Sequence, residues 1–239
     1  MSHGTDVYQT HEFTMADQAS VDERASFIVK TYLHLFGAIV AFVAIEAVLL
    51  QLPIAERMTM RLISSGGFAW LIVLGVFMFG SSIANRWAQS ATSVGIQYAG
   101  LGAYVVLEAL IFVPLLYIAT IKGGPDVIPS AGIATLSIFA ALTLIVFFTR
   151  KNFSFLGPVL GIIGIGVMGL IVCSILFGFS LGILFTWGMI AFACAYILYY
   201  TSKVLHDYRV DQHVAASLAL FACVALLFWY VLRLFMSRD

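Results

Sequence analysis

The sequence predicts an all-α integral membrane protein, a bundle of seven transmembrane helices. Of the 239 residues, 62% are hydrophobic and only 10% are charged, and the mean hydropathy is +1.03. Soluble domains carry about 25% charged residues, so this chain has too little charge to cover a water-facing surface. The zero net charge also argues against nucleic acid as a partner. The lipid bilayer is therefore the expected environment.

Seven apolar stretches, each near the roughly 20 residues that cross the hydrocarbon core, give the helices in order. Ser20 and Glu23 fit a capping box just before the first stretch. The link from Gly178 to Gly182 carries no charge, so the fifth and sixth helices must turn tightly. Charges lie close to both ends of the last stretch, and a re-entrant segment is the alternative there. The predicted spans are Phe27–Leu50, Leu62–Ala84, Gly95–Ala119, Pro129–Phe148, Phe155–Phe177, Leu181–Tyr200 and Val214–Phe235.

The first 25 residues differ from the rest of the chain. They hold five acidic residues against one arginine, and they lack the basic stretch and apolar core of a cleavable signal peptide. We interpret residues 1–25 as an acidic tail that becomes helical just before the first span, and residues 26–239 as the transmembrane domain. Seven Lys and Arg residues fall on the N-terminal side and five on the other, which predicts a cytoplasmic N-terminus and an external C-terminus.

Glu108, near the middle of the third predicted span, is the strongest functional candidate. An uncompensated carboxylate in lipid costs several kcal/mol, so Glu108 should face the bundle interior. Pro114 follows a turn and a half later and frees the backbone carbonyl of Leu110. Together they predict part of a hydrated cavity on an ion pathway. The alternative is a protonated glutamate that a neighbouring helix holds for structural reasons alone.

Glu46 lies about one turn from the end of the first span. We expect it to form an ion pair with Arg57 or Arg61 across the short connection, and we include Glu46 and Arg61 with Glu108 as ion-pathway candidates.

Other residue patterns indicate helix packing. The three cysteines lie inside predicted spans without metal-ligand spacing, so we expect neither a metal nor a cofactor. Small residues at helical spacing predict close helix contacts on the fifth and third spans, at Gly157, Gly161 and Gly164 and at Gly95, Ala99 and Ala103.

Three strings resemble a known family. They are YYTSKVLHDYRVDQHVAASLALF from Tyr199, FTRKNFSFLGPVLG from Phe148 and KTYLHLFGAIVAF from Lys30. They resemble the bacterial members of the Bax inhibitor-1 (transmembrane Bax-inhibitor-motif) family, and the resemblance extends over most of the chain from about Ser26 onward. It implies a seven-span membrane protein.

The resemblance also implies where a functional site lies. In calcium-leak members of this family, an aspartate before Thr-Ser and another in the last helix compete for protons and control a closed pore. These positions correspond to Tyr200 and Cys223 here. A phenol and a buried thiol are neutral at neutral pH, so a di-aspartyl switch cannot operate with these residues.

The polar turn before the last span offers substitutes. Asp207 and Asp211 are four residues apart, and His206 lies beside them. If the sixth helix continues past Tyr200, the two carboxylates share a face, where they bind a cation or sense pH. The alternative is an ordinary solvated loop.

Two functions are consistent with these observations. The first is a calcium or proton leak channel with altered pH gating in a bacterial inner membrane. The alternative is a non-conducting regulator that binds a membrane-anchored AAA protease, because some bacterial relatives with that function resemble this chain in the TRK-x-x-SFLG link from Thr149. The sequence shows no nucleotide loop and no metal-hydrolase motif, and we expect no enzymatic activity.

Overall fold

The computed structural model describes residues 14–90 and 93–237, and these residues form eight helices and no strand. Seven of the helices are long and apolar enough to cross a membrane. The predicted all-α fold with seven spans is thereby confirmed. The helices are α1 (Val21–Leu49), α2 (Pro53–Ser64), α3 (Gly67–Ala88), α4 (Val94–Lys122), α5 (Val127–Thr149), α6 (Leu156–Phe177), α7 (Ile183–His206) and α8 (His213–Met236).

Helix α2 is the main departure from the predicted elements. Pro53 occupies its first turn, where a missing N–H does no harm, and the extended Leu52 precedes it. Its buried Leu62 was assigned to the second span, which in the structure begins only at Gly67. Ala55, Thr59 and Leu62 are buried on one face of α2, while its charged residues are exposed, so the helix is amphipathic, like helices that lie in a membrane interface.

Helix α8 is the centre of the bundle. It packs against α1, α3, α4, α5 and α7, and most of its residues are buried. At 24 residues it is about 36 Å long and continuous. This geometry does not support the re-entrant alternative. The predicted tight turn between α6 and α7 also forms. Helix α6 is followed there by Gly178, which has the left-handed conformation that glycine adopts easily.

Helices α3 and α4 approach closely at Gly100, where a side chain would collide with the backbone of the other helix. The predicted small-residue face of this span was therefore placed wrongly, because Gly95 and Ala99 are exposed. Gly157 packs against the ring of Tyr199, whereas a Cβ added at Gly161 would meet no other helix within 4 Å.

We expect Gly100→Ala to lower the free energy of unfolding by about 1–3 kcal/mol, the usual range for overpacking. The added methyl would lie 2.5 Å from the backbone nitrogen of Ala88 and 2.6 Å from the carbonyl oxygen of Ala84. Thermal unfolding in detergent measures the change. Gly102→Ala is the matched control, since a Cβ there meets nothing within 4 Å. Equal unfolding temperatures for the two variants would contradict the close approach.

The segment before α1 is bound to the turn between α7 and α8. Ala16 N–H donates to the carbonyl of Tyr208 at 2.9 Å, and Val210 N–H donates to the carbonyl of Thr14 at 3.2 Å. The capping box at Ser20 forms as predicted. Residues 14–25 of the predicted acidic tail therefore belong to the folded structure. Residues 1–13 of that tail lie outside the described residues. The segment before α1, the α5–α6 link and the α7–α8 turn lie at the same end of the bundle, which we call its N-terminal end.

Candidate functional site

A cavity of about 900 Å³ lies between α3, α4, α6, α7 and α8. Ligand pockets in proteins usually measure about 300–1,000 Å³, so this cavity is large enough to hold a small molecule. It extends along α3 from Trp70 to Asn85, which corresponds to about 22 Å of helix.

Glu108 faces this cavity from the middle of α4. Its side chain is only 6% exposed, and Tyr104, one helical turn earlier, lies beside its carboxyl group. Pro114 is buried further along the same helix. The carboxyl group therefore lies inside the bundle, in the lining of the cavity.

Tyr200 of α7 and Cys223 of α8 line the same cavity. Tyr104 is near both of these side chains as well as near Glu108. Four side chains from three helices therefore converge on one region. The phenols of Tyr104 and Tyr200 and the thiol of Cys223 are neutral at neutral pH. Glu108 is therefore the group in this region that can ionise there.

The two halves of the cavity differ in polarity. The half near the N-terminal end carries Ser81, Ser82 and Asn85 of α3 in addition to the group around Glu108. The other half is lined mainly by aromatic and aliphatic side chains, with Ser174 among them. At its far limit the guanidinium of Arg233 donates a hydrogen bond to the carbonyl of Leu181 at 2.9 Å.

A lysine surrounded by tyrosines lies next to the polar half, at the N-terminal end. The ammonium nitrogen of Lys203 lies over the rings of Tyr199, Tyr200 and Tyr208, at 5.5, 6.0 and 5.3 Å from their centroids. Such cation–π contacts are favourable, most of all where water is excluded. Tyr200 belongs both to this cluster and to the cavity lining, whereas Lys203, Tyr199 and Tyr208 do not line the cavity.

The α5–α6 link is fixed against the same end of α7. Phe153 N–H donates to the Ser202 hydroxyl at 2.9 Å, and the Ser154 hydroxyl donates to Asp207 at 2.7 Å. Asn152 accepts a hydrogen bond from Ser154 N–H, which closes a local turn in the link. The N-terminal end of the bundle is therefore tied together by side chains from separate segments.

A family profile described as "Inhibitor of apoptosis-promoting Bax1" matches residues 24–239. The chain belongs to this family. The match includes every helix that lines the cavity, and it agrees with the resemblance inferred from the three sequence strings.

Two relatives of this Bax inhibitor family protein match over shorter stretches. A "BI1-like protein" of Arabidopsis thaliana is 30% identical over 122 residues, which are 47% of this chain and 46% of the relative. An uncharacterized protein of Pseudomonas aeruginosa is 32% identical over 124 residues, 50% of this chain and 54% of the relative. The chain thus spans about half the length of the curated relatives it matches. No solved structure matches the chain.

The structure brings three of the predicted site residues together. Glu108 lines one cavity with Tyr200 and Cys223, the positions to which the resemblance assigns the aspartate pair. The remaining candidates, Glu46, Arg61, His206, Asp207 and Asp211, do not line this cavity.

The expected ion pair of Glu46 is wrong. Glu46 is 4% exposed, and neither carboxyl oxygen has a hydrogen-bond partner among residues 14–90 and 93–237. It continues the buried stripe of α1 one turn beyond Phe42, whereas Arg57 and Arg61 are exposed on α2. Arg57 donates instead to the carbonyl of Pro53. The pairing fails because α2 is a separate helix with an outward-facing charged side.

The expected shared face of the two loop aspartates is also wrong. Helix α7 does continue past Tyr200, but it ends at His206, before either aspartate. Asp207 accepts from Ser154, and Asp211 accepts two hydrogen bonds from Arg209 at 3.0 and 2.8 Å. The Arg209 guanidinium lowers the pKa of Asp211 below its ordinary value. That carboxylate therefore stays ionised near neutral pH, so it is a poor pH sensor.

Sequence reasoning missed the polar side of α3 and the lysine cluster. The signal for the first was Ser81, Ser82 and Asn85 at helical spacing in an otherwise apolar span. The signal for the second was Lys203, three and four residues after two adjacent tyrosines. Among the described residues, no group of three or more His, Cys, Asp or Glu side chains is placed to hold a metal ion.

Proposed function

We propose that this protein is a cation leak pathway of the bacterial inner membrane, which passes calcium or protons past Glu108. The observation that carries the proposal is a single buried carboxyl group in a large cavity, beside the two positions that the family resemblance assigns to a proton-controlled pore. In this proposal the N-terminal end of the bundle faces the cytoplasm.

The Lys203 cluster gives the proposal a closed state. A fixed ammonium group next to the cavity repels an approaching cation, and three tyrosine rings hold that ammonium in place. Opening requires the cluster to move away from Tyr200. Since neither Tyr200 nor Cys223 titrates near neutral pH, we expect flux to lack the gating step that a titrating aspartate pair would add.

Ion entry into liposomes that contain the purified protein tests this function. Calcium, sodium and proton entry are followed separately with dyes, beside empty liposomes of the same lipid. The proposal predicts that calcium or proton entry exceeds that of the empty liposomes. Entry at the empty-liposome rate for all three ions would overturn it.

We expect Lys203→Met to raise cation flux, by about two- to tenfold. Methionine keeps a long apolar side chain against the tyrosine rings but removes the positive charge that opposes a cation. Liposome flux measures the change, and Lys203→Arg is the matched control because it keeps the charge. Equal flux in the methionine variant and the wild-type protein would show that Lys203 does not form the barrier.

A second candidate function is regulation of a membrane-anchored AAA protease. The observation in its favour is the exposed basic pair Arg150 and Lys151, in a link that hydrogen bonds fix to α7. A rigid basic surface suits an acidic protein segment. This candidate predicts that Arg150→Ser with Lys151→Ser prevents copurification with such a protease. The leak pathway predicts no effect of these changes on flux.

A further inference from the structure

We propose that the cavity binds an amphipathic organic cation, with its charged group at Glu108 and its apolar part against the aromatic wall. The inference rests on the proposed function in one respect, since both place a cation at Glu108. It adds the chemical class of a bound ligand, and binding of that ligand requires no conduction.

The ionisable groups of the cavity define the sign and position of the ligand's charge. Among the described residues that line it, Glu108 and Arg233 are the two whose side chains can carry a charge near neutral pH. Arg233 lies ten residues beyond Cys223 on α8, about 15 Å along the helix, and is bound to the carbonyl of Leu181. A cation is therefore attracted to ionised Glu108 and repelled by Arg233, and it stays on the cavity side of Tyr200, because Lys203 lies over the Tyr200 ring without lining the cavity.

The lining suits an organic cation better than a tightly bound calcium ion. Calcium takes 6–8 oxygen ligands, and one carboxyl group with a few hydroxyls falls short of that number. The lining is mainly apolar and rich in aromatic rings. Tyr104, Tyr196 and Tyr200 lie in the polar half, and Trp229 stands in the apolar half with its ring against Phe112. Aromatic faces attract organic cations, and the apolar half buries hydrocarbon.

Part of the cavity lining on α3 is accessible. Met78, Ser82 and Asn85 line the cavity and are among the exposed residues of the chain. Helix α6 also lines the cavity, and its Ile175 meets α3 at Gly67, near the end where α3 begins. In this proposal an amphipathic molecule enters the cavity past these α3 side chains.

Tetraphenylphosphonium is a suitable probe, because tetraphenylborate has nearly the same shape and the opposite charge. Equilibrium binding of each to the full chain in lipid nanodiscs is measured after subtraction of binding to empty nanodiscs. The proposal predicts saturable binding of tetraphenylphosphonium and none of tetraphenylborate. Equal excess binding of both ions, or no excess binding of the cation, would overturn it.

Three variants locate the site. We expect Glu108→Gln to weaken tetraphenylphosphonium binding at least about tenfold, which corresponds to about 1.4 kcal/mol, because glutamine cannot carry the negative charge that attracts the cation. Trp229→Leu should weaken it without any change of charge. Glu46→Gln is the matched control, because that buried carboxyl group does not line the cavity. An unchanged affinity in both Glu108→Gln and Trp229→Leu would place the probe elsewhere and overturn the proposal.

Flux measured on the same preparations separates this inference from the proposed function. Saturable cation binding without flux supports the organic-cation site and overturns the leak pathway. Flux that tetraphenylphosphonium does not block, in a protein that shows no saturable binding of this cation, supports the leak pathway and overturns the organic-cation site. Block of flux by the cation, and not by tetraphenylborate, supports both.

Discussion

Replacing Glu108 with glutamine is expected to reduce calcium or proton flux at least about tenfold. A carboxylate attracts a single positive charge 4 Å away by about 4 kcal/mol at an effective dielectric constant of about 20, and each 1.4 kcal/mol corresponds to about tenfold. Glutamine keeps the size and the hydrogen-bonding capacity of the side chain but cannot carry the charge. The measurement is ion entry into liposomes at matched protein content.

Glu46→Gln is the control for this experiment. It removes a second carboxyl group that is buried on a spanning helix but lies outside the cavity. Flux in this variant should equal that of the wild-type protein. If both substitutions lowered flux equally, flux would depend on any buried carboxyl group of the bundle. The result would then not assign the ion pathway to the cavity. If Glu108→Gln left flux unchanged, the pathway would not pass this residue.

The combined substitution of Tyr200→Asp and Cys223→Asp is expected to make flux strongly dependent on pH. Both side chains line one cavity and lie near Tyr104, so two carboxyl groups there would share protons and titrate in coupled steps. Once both are ionised, the two like charges repel each other, which favours separation of α7 and α8. Flux should therefore rise about tenfold or more from about pH 6 to about pH 8.

Tyr200→Asn with Cys223→Asn is the matched control for the aspartate pair. Asparagine has the size and polarity of aspartic acid without its titration, so the control should show no more pH response than the wild-type protein. A pH response of equal size in both double variants would show that it comes from the enlarged cavity or from other groups. The two positions would then not form a proton-controlled pair.

The sequence predicted those parts of the fold that depend on hydropathy and local hydrogen bonding. Seven stretches of span length correspond to seven long helices, and the capping box at Ser20 forms because its partner Glu23 is three residues away. Helix α2 was missed because a 12-residue amphipathic helix resembles a polar connection in a search for membrane-length apolar stretches.

The site was predicted only where a single helix carries the information. Glu108 faces inward, as a carboxyl group in an apolar span must. Burial of Glu46 depends on which face of α1 meets α4 and α8, and the spacing of Leu35, Ala38, Phe42 and Glu46 was the available signal. The Lys203 cluster depends on Tyr208 folding back beyond the end of α7, which sequence spacing alone does not specify.

The most direct test of the leak pathway is calcium entry into liposomes that carry the wild-type protein or Glu108→Gln, at about pH 6 and about pH 8, because a carboxyl group inside a bundle can titrate in this range. We expect entry above that of empty liposomes, and we expect any change between the two pH values to disappear in Glu108→Gln, since Tyr200 and Cys223, at the family's aspartate positions, do not titrate there. Entry that does not exceed that of empty liposomes at either pH, or a pH response that persists in Glu108→Gln, would contradict the proposed pathway.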